Sequence, residues 1–350
     1  MIFNEKYRVL GLMSGTSLDG IDLVICTFYK GEKWTFKIEK SKTIKYTSYW
    51  KKILQELYYK GQDYISEINI KYGQFLAETI NVFLNSQNVD FIASHGHTIF
   101  HKPEKNITLQ IGCGKTMAQI TKTKIINNFR SLDVSLNGQG APLVPIGDLQ
   151  LFSKYKYCVN LGGFANISIK DGDNIYAFDI CPVNIVMNQI SANLNLEYDK
   201  GGDLAKSGKL IPELLNELNQ LEYYKKKGPK SLGREWVNKF IMPLLMRKKQ
   251  KNIDLLHTFC EHIAMQIGEC IEEKSTLFTG GGVFNTYLIS RISHYSASKI
   301  FIPSKEIVNF KEALIFGFLG VLKVRNEINC LKSVTGAVED NCGGEINNPM

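Results

Sequence analysis

"GLMSGTSLDGID", Gly11 to Asp22, sets glycines, hydroxyls and two carboxylates directly behind the apolar run "YRVLGLM". An apolar run of that length, rich in β-formers and bounded by glycine, predicts a buried strand. The turn then leads into "LVICTFY", so the stretch reads as strand, turn, strand. Within the turn, glycines let backbone N–H groups converge on one point, and Ser14, Thr16 and Ser17 add hydroxyl donors, the chemistry of a phosphate cradle. Asp19 and Asp22 would repel bare phosphate, and a magnesium ion between them removes the repulsion. The same composition also suits a plain tight hairpin, because Gly, Ser and Asp populate turns for conformational reasons alone.

Moving outward, the pattern recurs in "YKYCVNLGGFANISIKDGDNIYAFDI", where Gly162 and Gly163 take the corresponding turn. The two stretches read as a weak internal duplication, one copy per domain. A third cluster, "FTGGGVFN" with Gly280, Gly281 and Gly282, follows a strand. Its bare platform suits a flat adenine ring, and equally an ordinary strand-to-helix turn. The runs "FIASHGHTI", "TKIINNF" and "KIFIP" read as further strands. In "IDLLHTFCEHIAMQIGECIEE", Leu255, Leu256, Phe259, Ile263, Ile267 and Ile271 fall at helical spacing ahead of "STLFTGGG", a helix-then-strand order typical of α/β layers. Neither GxGxxG nor GxxxxGK[ST] occurs, so Rossmann and P-loop readings lack their main support.

A chain of 350 residues exceeds the size at which one core stops growing, so two domains are expected, with a boundary near residues 125 to 135. Hydrophobic content of 44% and charged content of 22% suit a globular protein, and no apolar run approaches a bilayer span. The N-terminus lacks a signal-peptide core, which makes the cytoplasm the default location. Eight cysteines without a CxxC pair read as reduced core residues. The net charge of +8 comes from lysines spread along the chain, a solvated surface rather than a nucleic-acid interface. His95, His97 and His101 superficially suggest a metal site, but alternation along a strand explains their spacing. The polar tail "VEDNCGGEINNPM" reads as a flexible end.

The order of the three glycine turns is that of sugar kinases of the actin and hexokinase type. More specifically, "GLMSGTSLDGID", "SHGHTIFHKP", "TLQIG", "NGQGAPLVP", "NLGGFANIS", "GPKSLGREW", "TGGGVFN" and "SVTGA" closely resemble the anhydro-N-acetylmuramic acid kinase family, from about Val9 to Ala337. The resemblance implies a two-domain α/β, actin/hexokinase-like (RNase H-like) fold with mixed sheets flanked by helices and a central cleft. Residues 1–128 with a returning helix at about 309–337 would form the first domain, and 129–308 the second.

It also implies an ATP-dependent enzyme that opens the 1,6-anhydro ring of anhydro-N-acetylmuramic acid with water while phosphorylating O6. Gly15, Thr16, Ser17, Leu18, Asp19, Gly20, Ile21 and Asp22 match the family's ATP phosphate loop, with Asp19 ordering Mg2+ through water. Gly162, Gly163, Gly280, Gly281 and Gly282 complete the nucleotide site. Asp179 stands at the family's catalytic aspartate, as the base that activates water. Arg130 would pair with the lactyl carboxylate, and Glu312 and His95 would line the sugar. Here "AFDICPVN" departs from the commoner "FDTGPGN" at Ile180, Cys181 and Val183, Asn128 replaces an aspartate beside Arg130, and His97 stands where the family has glutamine. The implied partner is a small-molecule sugar, with a homodimer as the candidate assembly and neither nucleic acid nor membrane involved. Rival readings are a same-fold kinase for a different amino sugar, and a sensor that binds sugar or nucleotide without turnover.

Overall fold

In the computed structural model, described for residues 5–349 except 16, 17, 173, 227, 229, 248 and 249, the chain divides into two compact units. One comprises Met1–Phe152 with Phe310–Met350, the other Ser153–Asn309. The first unit opens with β1 (Lys6–Ser14), β2 (Ile21–Lys30), β3 (Trp34–Ile44), β4 (Phe91–Lys102), β5 (Ile107–Ile111) and β6 (Ile125–Asn127). The second contributes β7 (Tyr157–Leu161), β8 (Phe164–Asp171), β9 (Asn174–Pro182), β10 (Ser275–Thr279) and β11 (Lys299–Phe301). A last strand, β12 (Glu345–Asn347), returns to the first unit.

The two sheets share one plan. In the first unit the order is β12-β6-β4-β1-β2-β3, with β5 beside β4, and in the second it is β11-β10-β7-β8-β9. Each begins with an antiparallel meander, β1-β2-β3 or β7-β8-β9. A fourth strand then pairs parallel on the free side of the first, β4 on β1 and β10 on β7, and another adds parallel beyond it. This repeated order is the duplication read in the sequence, and it gives the mixed-sheet fold of actin and hexokinase type. Parallel strands aim their C-terminal ends at one edge, where ligand sites of α/β sheets collect. In the first unit that edge carries Gly15, Asp19 and Gly20 beyond β1, His97 opposite Ser14 and Arg130 beyond β6; in the second unit the corresponding edge carries Gly162–Gly163 beyond β7 and Gly280–Gly282 beyond β10.

Each unit has its own core. Leu10, Leu12, Leu23, Ile25, Ile65, Tyr72 and Ile80 pack in the first, and Val159, Leu161, Ile167, Phe259, Ile263 and Phe278 in the second. The amphipathic pattern near residue 255 forms the helix Asn252–Gly268, leaving Ile271 just past its end. Across β1 lies the helix Lys305–Val324: a Cβ on Gly11 would stand 2.0 Å from the Ala313 carbonyl oxygen, so only glycine admits this approach.

Two expectations change. The first boundary falls at 152/153 rather than 128/129, because residues 129–152 are tied into the first unit. Asp133 binds Thr335 and Asn341 there, Gly147 lies flat against Ile315, and buried Asp148 pairs with Lys311 at 2.6 Å. The C-terminal end is also held, not loose. Asn341 and Gly343 are buried, β12 pairs with β6, and Asn329 bonds both the amide and the carbonyl of Gly343.

Candidate active site

Ser14 pairs with Ile21 across the first hairpin, which makes Gly15–Gly20 its loop. Thr16 and Ser17 lie outside the described residues. Leu18 donates its N–H to the Gly15 carbonyl at 3.3 Å and takes φ 60°, unusual for a branched side chain. Gly20, at φ 158°, leaves no room for a Cβ beside the Ile44 carbonyl. Ile21 is fully buried, whereas Asp19 is exposed. Asp22 is half-buried and accepts from Thr43 Oγ1 at 2.5 Å. Burial raises its carboxyl pKa, the Thr43 bond opposes this, and the charge of Asp19 adds to it. A divalent cation near the pair would relieve the strain of two crowded carboxylates. Among the described residues no three His, Cys, Asp or Glu side chains form a metal cage, so such an ion would take most ligands from water and phosphate oxygens.

Beneath the loop lies a sealed polar cluster that the sequence did not reveal. Ser14 Oγ lies 2.5 Å from Tyr46 OH, 2.8 Å from Tyr72 OH and 3.2 Å from His97 Nδ1, and the tyrosine hydroxyls are 2.5 Å apart. Burial lowers the His97 pKa to about 4, leaving the ring neutral at ordinary pH. His101, exposed, meets Thr108 Oγ1 instead.

Arg130, just beyond β6, and His95, within β4, are brought together. The guanidinium donates through Nε and Nη2 to His95 Nε2, at 3.1 and 2.8 Å, and through Nη1 to the Gly140 carbonyl at 2.6 Å. His95 Nε2 is thus the acceptor, and its Nδ1–H donates to the Gly96 carbonyl at 2.9 Å. Burial, with Arg130 adding to it, holds the His95 pKa well below the usual value. The ring is 5% exposed and packs on Phe316, 4.7 Å between centroids, so it backs Arg130 instead of facing solvent. Desolvation lowers the Arg130 pKa to about 10, with Glu312 pulling the other way. Glu312 is open to water, yet crowding by protein atoms raises its carboxyl pKa against the pull of Arg130 and Lys311.

In the second unit Gly162 and Gly163 form the tip of the β7-β8 hairpin. Their carbonyls accept from the N–H groups of Val183, Asn184 and Ile185, capping the helix Asn184–Ala192. Gly280 and Gly282 sit on the neighbouring strand end, where a Cβ would strike Asn160 Oδ1 and Leu161, so the fold itself requires them. Gly163 and Gly281 differ: both are exposed, both have negative φ, and a Cβ would meet nothing closer than Ile185 Cβ at 3.8 Å or nothing at all. Nothing packed around either position requires glycine.

Asp179 lies opposite Asn166, itself opposite Asn160, about 10 Å from the Gly162 strand by ordinary strand spacing. Its Oδ2 accepts from Leu232 N–H at 2.8 Å, its carbonyl from Tyr223 OH at 2.6 Å, and its N–H donates to the Lys230 carbonyl at 3.0 Å. Among the described residues Oδ1 accepts no bond. Desolvation raises the carboxyl pKa, the Leu232 N–H opposing. The holder is the "GPKSLGREW" segment, singled out in the sequence without a role. A register shift after Ala165 bulges β9 at Ile180, and Ile180, Cys181 and Val183 are all 2% exposed or less. The family departure therefore fills core volume and leaves Asp179 at its strand position.

A duplicated mixed sheet with glycine turns at its strand ends and an aspartate held by backbone groups is the α/β architecture that the resemblance implies. The chain matches the family described as anhydro-N-acetylmuramic acid kinase over residues 7–348. Proteins of that name are 34% identical in Francisella tularensis subsp. novicida, over 98% of both chains, and 33% identical in Clostridioides difficile, over 94% of this chain and 95% of that one. Another, from Shewanella loihica, is 32% identical over 98% of this chain and 99% of its own. The chain belongs to the anhydro-N-acetylmuramic acid kinase family, and is accordingly a phosphotransferase.

Proposed function

We propose that this enzyme acts in cell-wall sugar recycling, converting anhydro-N-acetylmuramic acid, water and ATP into N-acetylmuramic acid 6-phosphate and ADP. The observation that carries the mechanism is Asp179, whose Oδ2 is fixed by Leu232 while Oδ1 is left without a partner among the described residues. Such a carboxylate can take a proton from water. The water oxygen bonds to the anomeric carbon, the bond from that carbon to bridging O6 breaks, and O6 receives the γ-phosphoryl group as ADP leaves. Gly15 to Gly20 hold phosphate through backbone N–H groups, and Gly163 and Gly281 leave open surface for nucleotide. Asp19 and Asp22 suit a hydrated Mg2+, whose charge would shield the triphosphate. Arg130, backed by neutral His95, receives the lactyl carboxylate, and Glu312 hydrogen-bonds the sugar.

Ile180, Cys181 and Val183, whose replacement of the family residues would permit a different sugar by reshaping the loop, are buried in the second unit's core, which weighs against that reading. The test is ADP release with anhydro-N-acetylmuramic acid in isotope-labelled water. Label is expected at the anomeric hydroxyl; label in inorganic phosphate would mark an ATPase instead. Asp179→Asn is expected to lower turnover at least roughly 10²-fold with ATP binding retained. Near-normal turnover would remove Asp179 from the chemistry.

A further inference from the structure

Arg130 is held by two neutral acceptors. The Gly140 carbonyl and His95 Nε2 take three of its N–H groups, and among the described residues no carboxylate lies within ion-pair distance of it. Its direction is fixed while its charge stays available. What fixes Gly140 is Asp133, three residues beyond Arg130 and fully buried. Asp133 Oδ2 accepts the Gly140 N–H at 2.7 Å. Its Oδ1 gathers three donors from the far end of the chain: Thr335 Oγ1 at 2.8 Å, Asn341 Nδ2 at 2.9 Å and Cys330 Sγ at 3.1 Å. Backbone bonds run alongside, from Gln139 N–H to the Thr335 carbonyl and from Val338 N–H to the Leu136 carbonyl. Gly140 takes φ 63° and cannot relax around a side chain, since a Cβ would lie 2.7 Å from Val134 Cγ2.

We infer that Asp133 is a positioning residue for Arg130, and that residues 330–341 form the lock that holds it, so the C-terminal segment sets recognition of the sugar's carboxylate. The inference rests on the proposed pairing of Arg130 with the lactyl group. A buried carboxylate that loses one donor keeps its desolvation cost, and the nearest relief is to shift toward another donor. That shift moves the Gly140 peptide and, through its carbonyl, the guanidinium.

The test compares kcat/KM for anhydro-N-acetylmuramic acid with that for 1,6-anhydro-N-acetylglucosamine, the same ring without the lactyl ether. Thr335→Val removes one donor at nearly constant volume, and Asp133→Asn turns an acceptor toward donors. Both are expected to lower the preference for the carboxylate-bearing sugar, several-fold for Thr335→Val and tenfold or more for Asp133→Asn, with KM for ATP unchanged. Thr335→Ser keeps the hydroxyl and is expected to restore the preference. Arg130→Lys is the control on the underlying pairing. If it lowers the preference while folded Thr335→Val and Asp133→Asn, judged by thermal melting, leave it intact, the lock is overturned. If Arg130→Lys leaves the preference intact, the pairing fails and the inference falls with it. Should Asp133→Asn not fold, Thr335→Val against Thr335→Ser decides alone.

Discussion

Asp179 keeps a carboxylate where burial works against its charge. Its folded pKa is raised above the ordinary carboxylate value of 3.8, so between the two values the native state binds more protons than the unfolded chain. Stability therefore falls as pH rises through that window, and the cost persists at neutral pH. Asp179→Asn removes the charge and keeps an acceptor for Leu232. The variant is expected to melt at a temperature no lower than the parent while losing its turnover; a clear drop in melting temperature would show the carboxylate to be better solvated than its surroundings indicate. The acid limb of kcat/KM is likewise expected above pH 3.8 in the parent. His97 works with the opposite sign. Its pKa falls from 6.5 to about 4, so the unfolded chain binds the extra proton and stability is lost as pH drops from 6.5 toward 4. His97→Gln, the residue usual in the family, should flatten that loss in urea titrations across this range, and an unchanged slope would place the acid sensitivity elsewhere.

At the scale of elements, the glycine turns divide into those the fold needs and those it does not. Gly280→Ala brings a positive φ and a Cβ 2.7 Å from Asn160 Oδ1, and is expected to cost about 1–3 kcal/mol in chemical denaturation. Gly163→Ala and Gly281→Ala meet open space, so stability should hold while KM for ATP rises several-fold. Equal KM in both would return these positions to ordinary turns, a hairpin at Gly163 and a strand-to-helix turn at Gly281. The sequence shows all three clusters as turns, because turn chemistry is local. It cannot show which glycine is pressed against Leu161, since that depends on β10 lying beside β7. Distance along the chain hides the rest. Asp133 meets Thr335 and Asn341 from 202 and 208 residues away, and nothing in "VEDNCGGEINNPM" announces it. β3, "WTFKIEKSKTI", is lysine-rich because it is an edge strand, and the same lysines mask it in the sequence. The candidate residues Asp179 and Arg130 and the Gly15–Gly20 turn stand out in the sequence because each sits in a compact motif at or just beyond a strand.

For the whole molecule, the repeated strand order gives two cores, each complete within its own unit. Calorimetry is expected to give a measured enthalpy exceeding the van't Hoff value, the mark of units that do not melt as one; a ratio of unity would show full coupling. The first unit is discontinuous, since Phe310–Met350 completes it after Ser153–Asn309 has been made. On the ribosome this reverses the usual order, in which the N-terminal part of a chain matures first. At about 5–20 residues per second the nascent chain spends several seconds with its second unit finished and its first still lacking a helix, a strand and the donors for Asp133. Chains stalled after Asn309 should therefore resist protease across residues 153–309 and be cut within residues 1–152. On the proposed pairing, the arginine that receives the lactyl carboxylate is not held in place until the closing stretch emerges, so premature termination near the end should yield molecules that keep a folded second unit yet cannot tell the muramic sugar from its carboxylate-free analogue.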